Sequence, residues 1–288
     1  MAHRRPPMPP VHLHFENVAA LRHMAQSVPF SNQYNQRKVQ SFLTNPNGDW
    51  LGIEGGAPAA LAALVDGYPA GENLVRHFHD QIACHLPRAL GHHRAKRRGN
   101  FGDEVDVHSV LRGAFDRAWT SSTRAIRKGT GILRLVVDIG ANDHTSAEEL
   151  RWRGIAGLAL AEVMGKAGYS VEIVAGFAIR NLCATGNKKM MFTTVVKPRS
   201  TQADIGLLAA TVALPGFFRT LGFAAVVRAA DDQGVNVDSG LGNYLDVSGV
   251  LPVPDKVTQL FVPQSVVDEQ GAVDWVKATV TLLQGVAS

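Results

Sequence analysis

Three clusters of side chains in this chain have the types and spacing to do chemistry. The first closes the run Ile132-Leu-Arg-Leu-Val-Val-Asp-Ile-Gly-Ala-Asn-Asp143, where an apolar stretch ends on Asp138 and Asn142 follows. Open α/β sheets place ligands at the carboxyl ends of their strands. Asp138 and Asn142 could offer oxygens there to a hard cation such as Mg²⁺. The same residue types also shape turns and cap helices. The second cluster is Gly102-Asp-Glu-Val-Asp-Val-His108. Asp103, Glu104 and Asp106 could hold a metal, with His108 as a general base. The alternative is that these acids cap the next helix and pair with nearby arginines.

The third cluster is basic. Residues 86–130 hold ten Lys and Arg against four acids, so the rest of the chain carries about −2 of the net +4. Arg94, Lys96, Arg97 and Arg98 follow the pair His92-His93 and could face a polyanion such as nucleic acid. A solvated basic loop accounts for the same charges. His77, His79, Cys84, His85, His92 and His93 are dense, but their spacing matches no compact zinc code. Phosphate-binding P-loop, nucleophile-elbow and paired-cysteine motifs are absent from the sequence. Cys84 and Cys183 form no disulfide framework, so a reducing cytoplasm is the expected setting. No run of 18 apolar residues predicts a membrane span.

Positioning these residues requires two kinds of grammar. Residues 1–12 read as a flexible Pro-rich arm and 13–129 as a mainly helical region. Helices are predicted near 17–26, 59–66, 71–90 and 106–128, with the basic residues in a loop between the last two. In the last helix Val107, Leu111, Phe115 and Trp119 step by four and make one apolar face. From 130 to 288 strands alternate with helices. The predicted strands are 133–137, 170–175, 189–196, 224–228 and 257–262; the helices are 147–165, 203–212, 216–221 and 273–283. Thr145-x-x-Glu148 and Ser146-x-x-Glu149 both read as capping boxes. Asp231 and Asp232 are then placed after a strand. Of Arg151, Trp152 and Arg153, at most one can face the core, and Trp152 is expected to pack on the N-terminal helices. The alternation predicts an α/β fold with a doubly wound, mainly parallel sheet and a helical N-terminal extension.

Residues 133–168, with Gly168-Tyr-Ser-Val-Glu-Ile-Val-Ala175, resemble the first strand, helix and second strand of the von Willebrand factor A domain, a Rossmann-like fold. That domain binds Mg²⁺ through an aspartate and two serines after its first strand, and through a threonine and an aspartate from later loops. The resemblance puts Asp138 at the first acid, Gly140 at the first serine and Asn142 at the second. Asp231 or Asp232 stands for the later acid. It therefore implies a degenerate metal-ion-dependent adhesion site, with Mg²⁺ held at low occupancy or not at all. Residues 50–66 and 100–119, with Glu149-Leu-Arg-Trp-Arg-Gly154, resemble a von Willebrand A-like family of bacteria, phages and mobile elements. Three functions are open at this point. One is a non-enzymatic interaction or scaffold protein whose strand-end face meets a protein partner, such as a ring ATPase. Another is a nucleic-acid-binding protein using the basic loop and helix. The third is a metal-dependent hydrolase using the 103–108 motif.

Overall fold

The computed structural model describes residues 11–83, 94–99, 104–105, 107–115, 118–124, 131–142, 144–179, 190–201, 203–234, 237, 241 and 252–287. It begins with strand β1 (Val11–Phe15) and helices α1 (Val18–Gln26), α2 (Gln33–Leu43), α3 (Gly48–Leu51), α4 (Gly56–Asp66) and α5 (Pro69–Ala83). A small unit follows: strands β2 (Arg94–Gly99) and β3 (Glu104–Val105), helix α6 (Val107–Leu111) and strand β4 (Trp119–Arg124). Next come β5 (Ile132–Asp138), α7 (Ala147–Lys166), β6 (Ser170–Ile179) and β7 (Met190–Lys197). Helices α8 (Ile205–Val212) and α9 (Pro215–Phe217), a π-helical turn (Phe218–Gly222) and α10 (Phe223–Asp231) lead to β8 (Val257–Val262) and α11 (Glu269–Ala287).

Side-chain oxygens start the main helices. Asn17 accepts from the Ala20 amide, Asn32 from Tyr34 and Asp204 from Leu207. Of the two candidate capping boxes, Ser146 supplies the cap of α7, accepting from the Glu149 amide at 3.1 Å.

Five strands form a mixed sheet in the order β1-β7-β6-β5-β8. Three neighbouring pairs are parallel, and β6–β7 is antiparallel. A separate antiparallel sheet has the order β2-β4-β3. The large core lies on one face of the five-stranded sheet. Leu133, Leu135, Val137, Ile173 and Phe177 meet buried residues of α1, α2, α4, α5, α7, α8, α10 and α11 there. The opposite face carries a smaller buried strip of Val136, Val174, Ala178 and Met191. The helices of this core thus share one face, in place of the two-sided cover expected of a doubly wound sheet. On the second face, at the β1 seam, the Thr193 hydroxyl lies 2.8 Å from His12 Nε2 and 2.9 Å from His14 Nδ1. Burial, and second the neighbouring His14, hold the His12 ring below the usual histidine range.

Four sequence expectations need correction. Residues 11 and 12 do not belong to an arm: Val11-His-Leu-His-Phe15 alternates with period two and pairs parallel with β7. The residues assigned to a basic loop form β2, whose Arg94 lies opposite Arg124 of β4. The helix expected over 106–128 is only α6, because the chain turns at Gly113 with φ +73° and re-enters as β4. Val107, Leu111, Phe115 and Trp119 are accordingly exposed and form no core face. Residues 224–228 are helix and not strand. Val226-Val227 favoured a strand locally, but every residue of this stretch except Arg228 is buried, so packing overrode propensity.

Candidate functional site at the sheet switch point

Strand β5 sits between β6 on one side and β8 on the other. The connection from β5 through α7 runs to one side, and the later helices carry the chain across to the other. Both α7, after β5, and α11, after β8, pack in the core on one face, so the segments that leave the two parallel strands start side by side at their carboxyl ends, where open α/β sheets place ligands. Asp138 ends β5 and Gln264 follows β8, and these two side chains meet at the strand ends.

Asp138 is buried. Its Oδ1 accepts the Gly140 amide at 2.9 Å, which closes a turn. The Gln264 amide nitrogen makes a long contact of 3.4 Å with Oδ2. Beneath the turn, the guanidinium of Arg153, only 1% exposed, donates from Nη1 to the carbonyls of Asp138 at 3.0 Å and Gly140 at 3.2 Å. A second buried arginine, Arg219 of the π-helical turn, donates to the Thr145 carbonyl at 2.7 Å and the Trp50 carbonyl at 2.5 Å. Its guanidinium lies 4.9 Å from the Trp50 ring centroid. Two buried cations therefore hold the carbonyls of Asp138, Gly140 and Thr145, while Asn142 and His144 are exposed.

This set of donors is a poor fit to Mg²⁺, which requires about six oxygens at short range. It offers one carboxylate, already engaged by an N–H. Gly140 has no side chain to add, Asn142 is exposed, and Arg153 puts a fixed positive charge beside the site. Among the described residues no group of three His, Cys, Asp or Glu side chains converges to hold a metal.

Asp231 and Asp232 do not follow a strand; Asp231 is the last residue of α10 and Asp232 its C-cap. The buried Asp231 carboxylate accepts the Ser31 amide at 2.8 Å, the Asn32 amide at 3.2 Å and the Asn35 side-chain amide at 3.0 Å. Arg228 lies 3.8 Å from it and pairs with Asp232 at 2.5 Å. Burial pushes the Asp231 carboxyl up, but the hydrogen bonds from Asn35 and Ser31 and the charge of Arg228 together hold it below the usual range. Asp231 thus fastens the α1–α2 connection to α10, and Asp232 pairs with Arg228 of its own helix.

Asp103 and Asp106 of the second cluster lie outside the described residues. Glu104 falls on β3 opposite Thr120, and His108 falls on α6. Arg94, Lys96, Arg97 and Arg98 fall on β2. Cys84, His85, His92 and His93 are outside the described residues, while His77 and His79 lie on α5. His79 Nε2 is 2.9 Å from the Lys166 ammonium, a helix–helix contact. Trp152 packs on Phe78 of α5, ring centroids 6.0 Å apart, as anticipated. Arg153 breaks the expectation for its trio, because α7 is buried on nearly all sides.

Sequence reading did not single out Arg219 or Gln264. Arg219 carried a signal: a lone charge within Pro215-Gly-Phe-Phe-Arg-Thr-Leu-Gly-Phe223 has no polar helix face to occupy, so it must find buried acceptors. Among the described residues no single helix is long and apolar enough to cross a membrane.

No curated protein and no solved structure matches the chain. The model of the family described as Domain of unknown function (DUF7192) matches residues 9–270, and the chain belongs to that family.

Proposed function

We propose that this protein is a non-enzymatic interaction module whose protein partner docks on the loop after β5. The clamped turn carries the reading: Arg153 and Arg219 hold the carbonyls of Asp138, Gly140 and Thr145, with Asn142 and His144 exposed beside them at the strand end. A pre-ordered loop loses little conformational entropy on binding, which favours recognition. The strand-end acid is spent on the turn, so the loop keeps its shape without a cation. In the von Willebrand A-like reading this is a degenerate metal-ion-dependent adhesion site in which Arg153 supplies the positive charge. Ring ATPases are the partner class that the resemblance implies.

The test is capture of partners by immobilised full-length protein, with the bound proteins identified by mass spectrometry. Wild type is compared with Asp138→Ala and with the exposed double variant Asn142→Arg/His144→Glu. We expect a defined protein set that survives chelation by EDTA and is lost in the double variant at an unchanged melting temperature. Unaltered capture by the folded double variant removes the loop from the reading. Loss of capture on chelation restores a metal to it.

A further inference from the structure

A cleft of about 660 Å³ opens on the helix-covered face, between α7 and the start of α8. It lies at the far end of the sheet from Asp138. Its Ser170 and Val171 pair with Ile132 and Leu133, at the start of β5, roughly 20 Å along the strand from the proposed docking loop. The volume falls in the range of pockets that bury small ligands, about 300–1,000 Å³.

The floor is apolar: Leu158 and Ala161 from α7, Val171 and Ile173 from β6, Ile205 and Leu208 from α8. The rim is cationic, with Lys166, Lys197 and Arg199 against the single acid Glu162. Lys166 is already paired with Glu162 at 2.6 Å. Arg199 lies 3.4 Å from Glu172, a carboxylate it shares with Arg134.

Lys197 reaches this cleft because of a β-bulge. Val174 pairs with Val195 while Ile173 pairs with Lys197, so Val196 is the extra residue. Regular alternation would have sent Lys197 to the face of Val195, away from the helices; the bulge brings it onto the face of Ile173. Its ammonium donates to the carbonyls of Val171 at 2.7 Å and Pro198 at 3.3 Å. No carboxylate pairs with it among the described residues, and an ammonium has three donors. Burial holds it below the usual lysine range, so an anion beside it would relieve a cost already present.

We propose that this cleft binds a small anionic amphiphile, an apolar chain or ring seated on Leu158, Val171, Ile173 and Leu208 with its carboxylate held by Lys197 and Arg199. The bulge that brings the Lys197 ammonium to an apolar cleft is the feature that specifies this ligand class. Neutral and cationic molecules of the same apolar body lack the group that Lys197 selects.

The test is isothermal titration of the full-length protein, below micelle-forming concentrations, with decanoate, decanol and decyltrimethylammonium. Decanoate is expected to bind saturably and the other two about tenfold more weakly or worse, as a charge-assisted hydrogen bond requires. Lys197→Met keeps the stem and removes the charge; it should cost decanoate about tenfold and leave decanol unchanged. A second variant blocks the cleft without touching its charges. A Cβ added at Gly165 meets nothing within 4 Å, so Gly165→Phe can enter the cleft from α7, and it should abolish decanoate binding. The absence of saturable decanoate binding to folded wild type overturns the proposal, as does equal affinity for decanol or full affinity in either variant. These outcomes leave the proposed docking loop untouched.

Discussion

At the scale of single residues, three buried charges do different work. Arg153 and Arg219 each answer backbone carbonyls, so neither guanidinium is left without acceptors in a low-dielectric interior. Asp231 gathers three N–H groups and a nearby arginine. Its folded-state pKa is lowered from the ordinary 3.8, so the folded protein binds this proton less readily than the unfolded chain. Its contribution is therefore fully present above that ordinary value and is lost as the pH falls through the lowered one. Asp231→Ala leaves the Ser31, Asn32 and Asn35 donors unsatisfied and is expected to cost about 2–4 kcal/mol at pH 7. Urea melts of wild type and variant from pH 7 down to pH 2 should converge at the acid end. A constant gap between the two curves would show that the charge of Asp231 is irrelevant.

At the scale of elements, close packing of α7 sets where its arginine points. Gly154 lies against the end of α8, and a Cβ there would stand 2.1 Å from the Val212 carbonyl oxygen. A backbone oxygen cannot swing aside like a side chain, so Gly154→Ala must push the two helices apart. We expect a loss of about 1–3 kcal/mol by thermal or urea unfolding, because overpacking forces backbone shifts. Ala normally stabilises a helix interior relative to Gly, so a neutral or stabilising result would refute this packing. Displacing α7 would also carry Arg153 away from its carbonyls and loosen the loop after β5.

At the scale of the whole molecule, the N-terminal helices are part of the main core. Residues of α1, α2, α4 and α5 share that core with α7, α8 and α10, and β1 extends the sheet beside β7. The fragment 130–288 alone would expose the apolar faces those helices cover. It is expected to show no cooperative thermal transition and to bind a hydrophobic dye, while the full chain melts in one step. A sharp melt of the fragment would make the N-terminal region an accessory to an independent α/β domain. The same shared core explains why an apolar bent pair, α8 with the stretch Pro215–Asp231, looks membrane-like by composition: it is buried in protein.

Local periodicity alone marks the elements in which apolar runs are strong and cleanly bounded. Strands β5, β6, β7 and β8, helix α7 with two candidate caps, and an acid at the end of β5 were all legible from apolar runs bounded by turn residues. Long-range packing settles what local pattern leaves open. The run 224–228 is helical because it is enclosed by neighbours, and β1 is a strand because β7, some 180 residues away in the chain, offers it a ladder. Asp231 is a fastening for α2 and not a strand-end ligand, since its donors come from Ser31, Asn32 and Asn35. A one-residue bulge turned Lys197 from one face of the sheet to the other. In each case the deciding contact joins residues distant in sequence, and periodicity encodes only which residues are buried, not which partners bury them.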